Sequence, residues 1–139
     1  MIMKVMLDEG AVMPTRAHEH DAGMDLYSRE DKAILPGGSA MFDTGVHVAL
    51  PAGTFGKLES KSGLNCKYDI VSCGGVIDSG YTGSIAVKLY NLGSKPYLIR
   101  KGQKIVQMIV QPFFAPALDL TNELEETERG VNGFGSTGL

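Results

Sequence analysis

No run of about 18 apolar residues occurs in this 139-residue sequence, and nothing near Met1 reads as a secretory leader. A membrane partner is therefore not expected, and the chain reads as soluble and cytoplasmic. Basic residues form no stripe and are not interleaved with aromatics, and the net charge is −3. That balance excludes direct nucleic-acid binding by bulk electrostatics. Cysteine is scarce: Cys66 and Cys73 lie seven apart without a CxxC spacing and read as reduced packing residues, not as a disulfide or metal ligands. No window of helical length keeps an apolar stripe, and no repeat or low-complexity block is visible. A helical fold is excluded.

Short strand signals and glycine fill the sequence instead. Apolar runs recur at Ala33 to Leu35, Ser39 to Phe42, Gly45 to Leu50, Phe55 to Leu58, Asp69 to Ser72, Gly83 to Tyr90, Tyr97 to Ile99 and Ile105 to Gln111. Each is bounded by Gly, Pro, Asn or Asp, and the 18 glycines are about twice the usual share. The start, Met1 to Val5, reads as an edge of folded structure. One all-β domain follows, a distorted jelly-roll or barrel-like core over residues 1–121, with a single helical turn from Ser62 toward Lys67. Residues 122–139 read as a solvated acidic linker, 123–128, and a flexible glycine-rich arm.

Four clusters are polar where strands and turns ought to be featureless. The arm combines Arg129, four glycines, Phe134, Ser136 and Thr137. Glycine lets successive backbone N–H groups turn toward one anion, and Arg and hydroxyl side chains add donors, so phosphate is the group best suited to organise it. Phe134 then has a use as a lid over a flat ring. An acidic protein that grips a polyphosphate usually recruits a divalent cation, which makes Mg2+ the expected cofactor. Asp25, between Met24 and Leu26, reads locally as a turn acid or a cap. Ser60, Lys61, Ser62 and Gly63 precede the helical turn and suit an anion, or else Ser62 is only its N-cap. Gly74 to Gly83 reads as a hairpin turn, or as a carboxylate, Asp78, that water can approach beside a rigid ring, Tyr81. His18 and His20 could share one face of a strand and one ion, but no third ligand is near.

In order, AGMDL (22–26), SKSGL (60–64), GVIDSGYTG (75–83), GQKIVQMI (102–109) and RGVNGFGSTG (129–138) resemble the five motifs of the trimeric dUTP diphosphatases. The resemblance implies hydrolysis of dUTP to dUMP and pyrophosphate with Mg2+, in a homotrimer with sites between subunits. It assigns Asp78 to orienting the attacking water and contacting the sugar, and Tyr81 to packing on deoxyribose. Uracil would be read by backbone from Ser72 through Val76 and Ile77 and near Ala86, with Phe134 closing over it. Phosphates would meet Lys61, Ser62, Gly63, Gln107, Arg129, Gly135, Ser136 and Thr137, the arm coming from a neighbouring subunit. Asp25 would lie near the metal, through water.

Three departures stand inside the motifs. Lys61 replaces the usual arginine, so a forked contact becomes a point charge, and Gly80 and Thr82 replace charged neighbours of the tyrosine. The nearest alternative is a dCTP deaminase of similar fold, which needs a glutamate where this chain has Lys88. A second alternative is a nucleotide-gated regulatory module, since phage-borne relatives of the family can engage host regulators.

Overall fold

Met24 and Leu26 face one side of a strand and Asp25 the other, and all three are buried, which sets that strand at the centre of the molecule. The computed structural model describes residues 1–138. Eleven strands and one short helix follow in chain order: β1 (Lys4–Leu7), β2 (Gly23–Tyr27), β3 (Lys32–Ile34), β4 (Ser39–Asp43), β5 (Val46–Ala49), β6 (Thr54–Ser60), α1 (Ser62–Tyr68), β7 (Ile70–Ser72), β8 (Val76–Ile77), β9 (Ala86–Asn91), β10 (Tyr97–Ile99) and β11 (Lys104–Pro112). The all-β, jelly-roll-like expectation holds. All the described pairings are antiparallel, and they divide into four open sheets, ordered β1-β5, β10-β3, β2-β11-β6-β8 and β4-β9-β7, without closing a barrel.

The longest strand, β11, organises the four-stranded sheet. It pairs with β2 on one side, Gln107 opposite Asp25, and with β6 on the other, Gln107 opposite Glu59. Its apolar face, Val106 and Met108 with Ile105 at its start, joins Leu26, Ile34, Phe42, Ile70, Ile85, Leu89 and Ile99 in one core. Burial of each such side chain contributes about 1.5–3 kcal/mol. The buried polar Asn91 is satisfied: its amide donates to the Ile34 and Lys95 carbonyls and its oxygen accepts from Gly93 N–H.

Two local expectations are corrected. Cys66 and Cys73 are exposed, not packed. Leu64 is the buried residue of α1, so Cys66 looks outward, and Cys73 opens the turn at Gly74 and Gly75, both with positive φ. The N-cap of α1 is Lys61, not Ser62, and it makes no side-chain capping bond. Ser62 is the first helical residue, and Asp69 ends the helix in the left-handed region at φ 57°. Beyond Pro112 the described residues form neither strand nor helix, and nearly all are exposed.

Candidate active site

The hairpin from β7 to β8 crosses between two sheets, because β7 pairs with β9 while β8 pairs with β6. Ser60, at the end of β6, pins that crossing: its hydroxyl accepts from Ser72 N–H at 2.9 Å and lies 3.3 Å from the Ser72 hydroxyl. Gly75 must be glycine here, since its φ is +92° and a Cβ would strike Leu58. Just after β8 the chain turns at Asp78, whose carbonyl accepts from Tyr81 N–H at 3.0 Å. Tyr81 then folds back over Gly83, where a Cβ would collide with its phenol, and donates to the Ser84 carbonyl at 2.9 Å. A pocket of about 200 Å³ results, lined by Val76, Ile77, Asp78, Tyr81, Ser84 and Ala86. The carboxylate of Asp78 is exposed at this pocket and has no protein partner among the described residues. Ser72 closes the far end of the same hairpin.

A second cluster lies on the β2-β11-β6 face. Asp25 is 4% exposed, and its carboxylate accepts from two ammonium groups, Lys61 Nζ on Oδ1 at 2.5 Å and Lys104 Nζ on Oδ2 at 2.8 Å. Burial pushes the Asp25 carboxyl up, but the hydrogen bonds and charges of Lys104 and Lys61 outweigh it and hold the group below the usual aspartate range. Asp25 in turn holds Lys104 above the usual lysine range, chiefly through the same hydrogen bond. Gln107 lies alongside and donates to the Ser60 carbonyl at 3.2 Å, in space that Gly23 leaves open. Lys61 and Lys104 against Asp25, with Lys57 balancing Glu59 beside them, give this face a local excess of positive charge, suited to a polyphosphate. Ser62 and Gly63 follow Lys61 directly and are exposed.

A stability test follows from the sign of the Asp25 shift. A depressed carboxyl contributes stability above its unfolded value, near 3.8, and loses it as pH falls through the lower folded value. Asp25→Asn is expected to cost about 1–3 kcal/mol at pH 7, because both ammoniums lose their countercharge and one of them faces an amide donor in place of an acceptor. The gap between variant and parent in denaturant unfolding should then narrow in acid. A gap that is absent at neutral pH, or constant down to pH 2, would remove the ion pairs from this account.

The arm stands apart from both clusters. Among the described residues its hydrogen bonds are internal: Arg129 Nε donates to the Asn132 carbonyl at 2.9 Å, and tight turns run from Arg129 to Asn132 and from Gly133 to Ser136. Phe134, with φ 50°, is fully exposed, and Gly135, Ser136 and Thr137 are exposed beside it. A concavity of about 620 Å³ between Met3, Val5, Met13, Met24 and Val110 also lies apart and has no carboxylate in its lining.

A dUTPase family profile matches residues 9–138. The chain belongs to the dUTPase family. It is 42% identical over 135 residues to the deoxyuridine 5'-triphosphate nucleotidohydrolase of Clostridium tetani, covering 96% of this chain and 93% of that one. It is also 42% identical over 132 residues to the human mitochondrial protein of that name, covering 95% of this chain and 52% of the other. Among solved structures it is similar to a mutant Staphylococcus bacteriophage 80alpha dUTPase with dUpNHpp, with a TM-score of 0.94 at 31% identity over 99% of both chains. A dUTPase from phage phi11, whose structure includes a structural Mg(II) ion, matches with a TM-score of 0.83 at 30% identity over 90% of this chain and 99% of that one.

The dUTPase motifs thus separate into three places, the pocket of the third motif, the Asp25 face shared by the first, second and fourth, and the exposed fifth. Sequence reasoning passed over Lys104. A carboxylate set between two apolar residues of a strand needs a countercharge, and that need, applied to the neighbouring GQKIVQMI segment, is the signal that finds it. Ser60, grouped by sequence with the residues that suit an anion, instead holds Ser72. Lys88, where a deaminase needs glutamate, is exposed on β9 with its ammonium 5.4 Å from the Tyr90 ring centroid. No helix of the described residues is long and apolar enough to cross a membrane.

Proposed function

We propose that this dUTPase hydrolyses dUTP to dUMP and pyrophosphate in nucleotide metabolism, with Asp78 activating the water. The observation that carries this reading is the pocket that joins the Asp78 carboxylate, the Tyr81 ring and the backbone of Val76 and Ile77. Asp78 holds water in line with the α-phosphorus and accepts its proton as the bond to the leaving pyrophosphate oxygen breaks. Tyr81 packs on the deoxyribose and leaves no room for a 2′-hydroxyl. Backbone groups from Ser72 through Ile77, with Ala86 opposite, read uracil, and a cytosine edge leaves buried groups unpaired at about 1–3 kcal/mol each.

On the neighbouring face Lys61, Ser62, Gly63 and Gln107 hold the phosphate chain. Among the described residues no three His, Cys, Asp or Glu converge on one point, and both Asp25 oxygens already accept from lysine. That leaves no direct protein ligand for the ion, so Mg2+ would be carried in by the triphosphate and meet Asp25 only through water. The bound ion supplies charge neutralisation on the phosphates. Arg129, Gly135, Ser136 and Thr137 close over the γ-phosphate and Phe134 over the base.

Those arm residues come from a neighbouring copy in a homotrimer. Support comes from the segment after β11, where Phe114, Leu118 and Leu120 are almost fully exposed and want a partner surface. Residues 1–121 form the core and 122–139 the linker and arm. The free thiols of Cys66 and Cys73 suit the cytoplasm. The decisive experiment measures pyrophosphate release from dUTP, dCTP, dTTP and UTP with Mg2+, on protein whose light-scattering mass is expected near three times 14.9 kDa. Release from dUTP far above the others is expected. Binding of dUTP without turnover would overturn the enzymatic reading, and a fully active monomer the assembly.

A regulatory partner is a second activity supported by one similarity. A phage 80alpha dUTPase, 32% identical over 99% of this chain with a TM-score of 0.90, is described as controlling transfer of virulence genes by a G protein-like mechanism. A pull-down with and without dUpNHpp tests whether this chain binds such a protein.

A further inference from the structure

His47 lies on β5, outside every motif, yet both of its ring nitrogens are engaged. Nδ1 is 2.8 Å from the carbonyl oxygen of Thr82, and Nε2 is 3.0 Å from Oδ1 of Asp8. Both partners accept and neither donates. A neutral imidazole carries one N–H and can satisfy only one of them; the imidazolium carries two and satisfies both. The Thr82 carbonyl first, and the Asp8 carboxylate second, hold His47 above the usual imidazole range.

The charged and titratable groups around the ring come from three elements. Asp8 follows β1, and Lys4 of β1 lines the same crevice. Asp43 ends β4 and adds its negative charge, itself paired with Arg29 Nη2 at 2.6 Å. From the loop beyond, Tyr81 directs its phenol away, to the Ser84 carbonyl.

Thr82 matters because of where it sits. Its loop, Tyr81 to Ser84, forms one wall of the nucleoside pocket, and two side chains from outside that loop anchor it, Asp43 through the Ser84 hydroxyl and His47 through the Thr82 carbonyl. We propose that His47, in its doubly protonated form, is a positioning residue that clasps the Tyr81 wall of the nucleoside pocket to β5. The proposal rests on the assignment of that pocket to the nucleoside. As pH rises through the folded value of His47, one N–H is lost, and one of the two contacts becomes lone pair against lone pair. The clasp is complete below the ordinary imidazole value; above the raised one either the Thr82 contact is lost or it is kept with Nε2 set against the Asp8 carboxylate, so it is weakened in both tautomers. Nucleoside binding weakens in that window, while the water held by Asp78 is untouched, so KM rises and kcat stays.

The test has one arm without substrate. An NMR titration of the intact protein is expected to give His47 a midpoint above the ordinary imidazole value, lowered by Asp8→Asn. In the second arm, KM and kcat for dUTP are measured from pH 6 to 9 for the parent and His47→Gln, so that ionisation of the nucleotide cancels in the ratio. At pH 6 the variant's KM should exceed the parent's by about three- to tenfold, the worth of one hydrogen bond, and the ratio should fall toward one by pH 9 with kcat matched throughout. A His47 midpoint at or below the ordinary imidazole value would overturn the clasp, as would a KM ratio independent of pH. Should His47→Gln fail to fold, Asp8→Asn must move the parent's KM break to lower pH, and an unmoved break overturns the proposal. A high His47 midpoint in a protein that binds no dUpNHpp would instead overturn the nucleoside assignment.

Discussion

Asp78→Asn is expected to lower kcat for dUTP by about 10²- to 10⁴-fold while leaving the fold and the affinity for dUpNHpp unchanged. The size follows from what the amide lacks. Asparagine matches aspartate in shape and can still orient a water, but it cannot take the proton that the attacking water must lose. Stability should be spared, since the Asp78 carboxylate has no protein partner among the described residues and stands exposed at the pocket. Single-turnover kinetics with isothermal titration of dUpNHpp separate the two effects. Turnover within a factor of three of the parent would take the base role away from Asp78, and a matching loss of affinity would make it a binding residue instead.

Removal of residues 129–139 is expected to lower kcat/KM for dUTP by about 100-fold or more, with the melting temperature and the assembly intact. No hydrogen bond ties the described arm residues to the strands, so the fold loses nothing when they go. On the proposed reading Arg129, Ser136 and Thr137 gain partners only from a bound triphosphate, and interactions made mainly in the closed state appear in the rate. Hydrogen exchange at the arm amides should slow on addition of dUpNHpp. Unchanged exchange, with a truncated enzyme as active as the parent, would detach the fifth motif from catalysis.

Periodicity and punctuation located eight strands within a residue or three of where they lie, because each is an apolar run ended by Gly, Pro, Asn or Asp. The misses have physical causes. Strand β2 is buried on both sides, so it lacks the alternation of a half-exposed strand, and Asp25 within it mimics a turn acid. Strand β8 is two residues long, below any pattern. For the candidate site, residue type and spacing single out Asp78 and Tyr81, which line one pocket, and the arm, which lies exposed apart from it. What sequence could not supply was which cations meet Asp25: Lys61 and Lys104 are 43 positions apart, and only the pairing of β2 with β11 and the exit of β6 bring them to one carboxylate. His47 is likewise silent in sequence, since its two acceptors arrive from residues 8 and 82.

The ladder between β2 and β11 also governs how the protein comes to exist. It joins residues 23–27 to residues 104–109, and in the backbone ladder β6 and β8 reach β2 only through β11. During synthesis the four-stranded sheet has no organising strand until Pro112 has left the ribosome, and closure of so long a loop is slow. Until then β2 presents Met24 and Leu26 beside an unpaired edge, the kind of surface that recruits chaperones or other nascent chains. The same late event delivers Lys104 to Asp25. Completion of the fold and neutralisation of its buried carboxylate are one step, so a chain interrupted before β11 carries the third motif but neither a finished sheet nor a phosphate face.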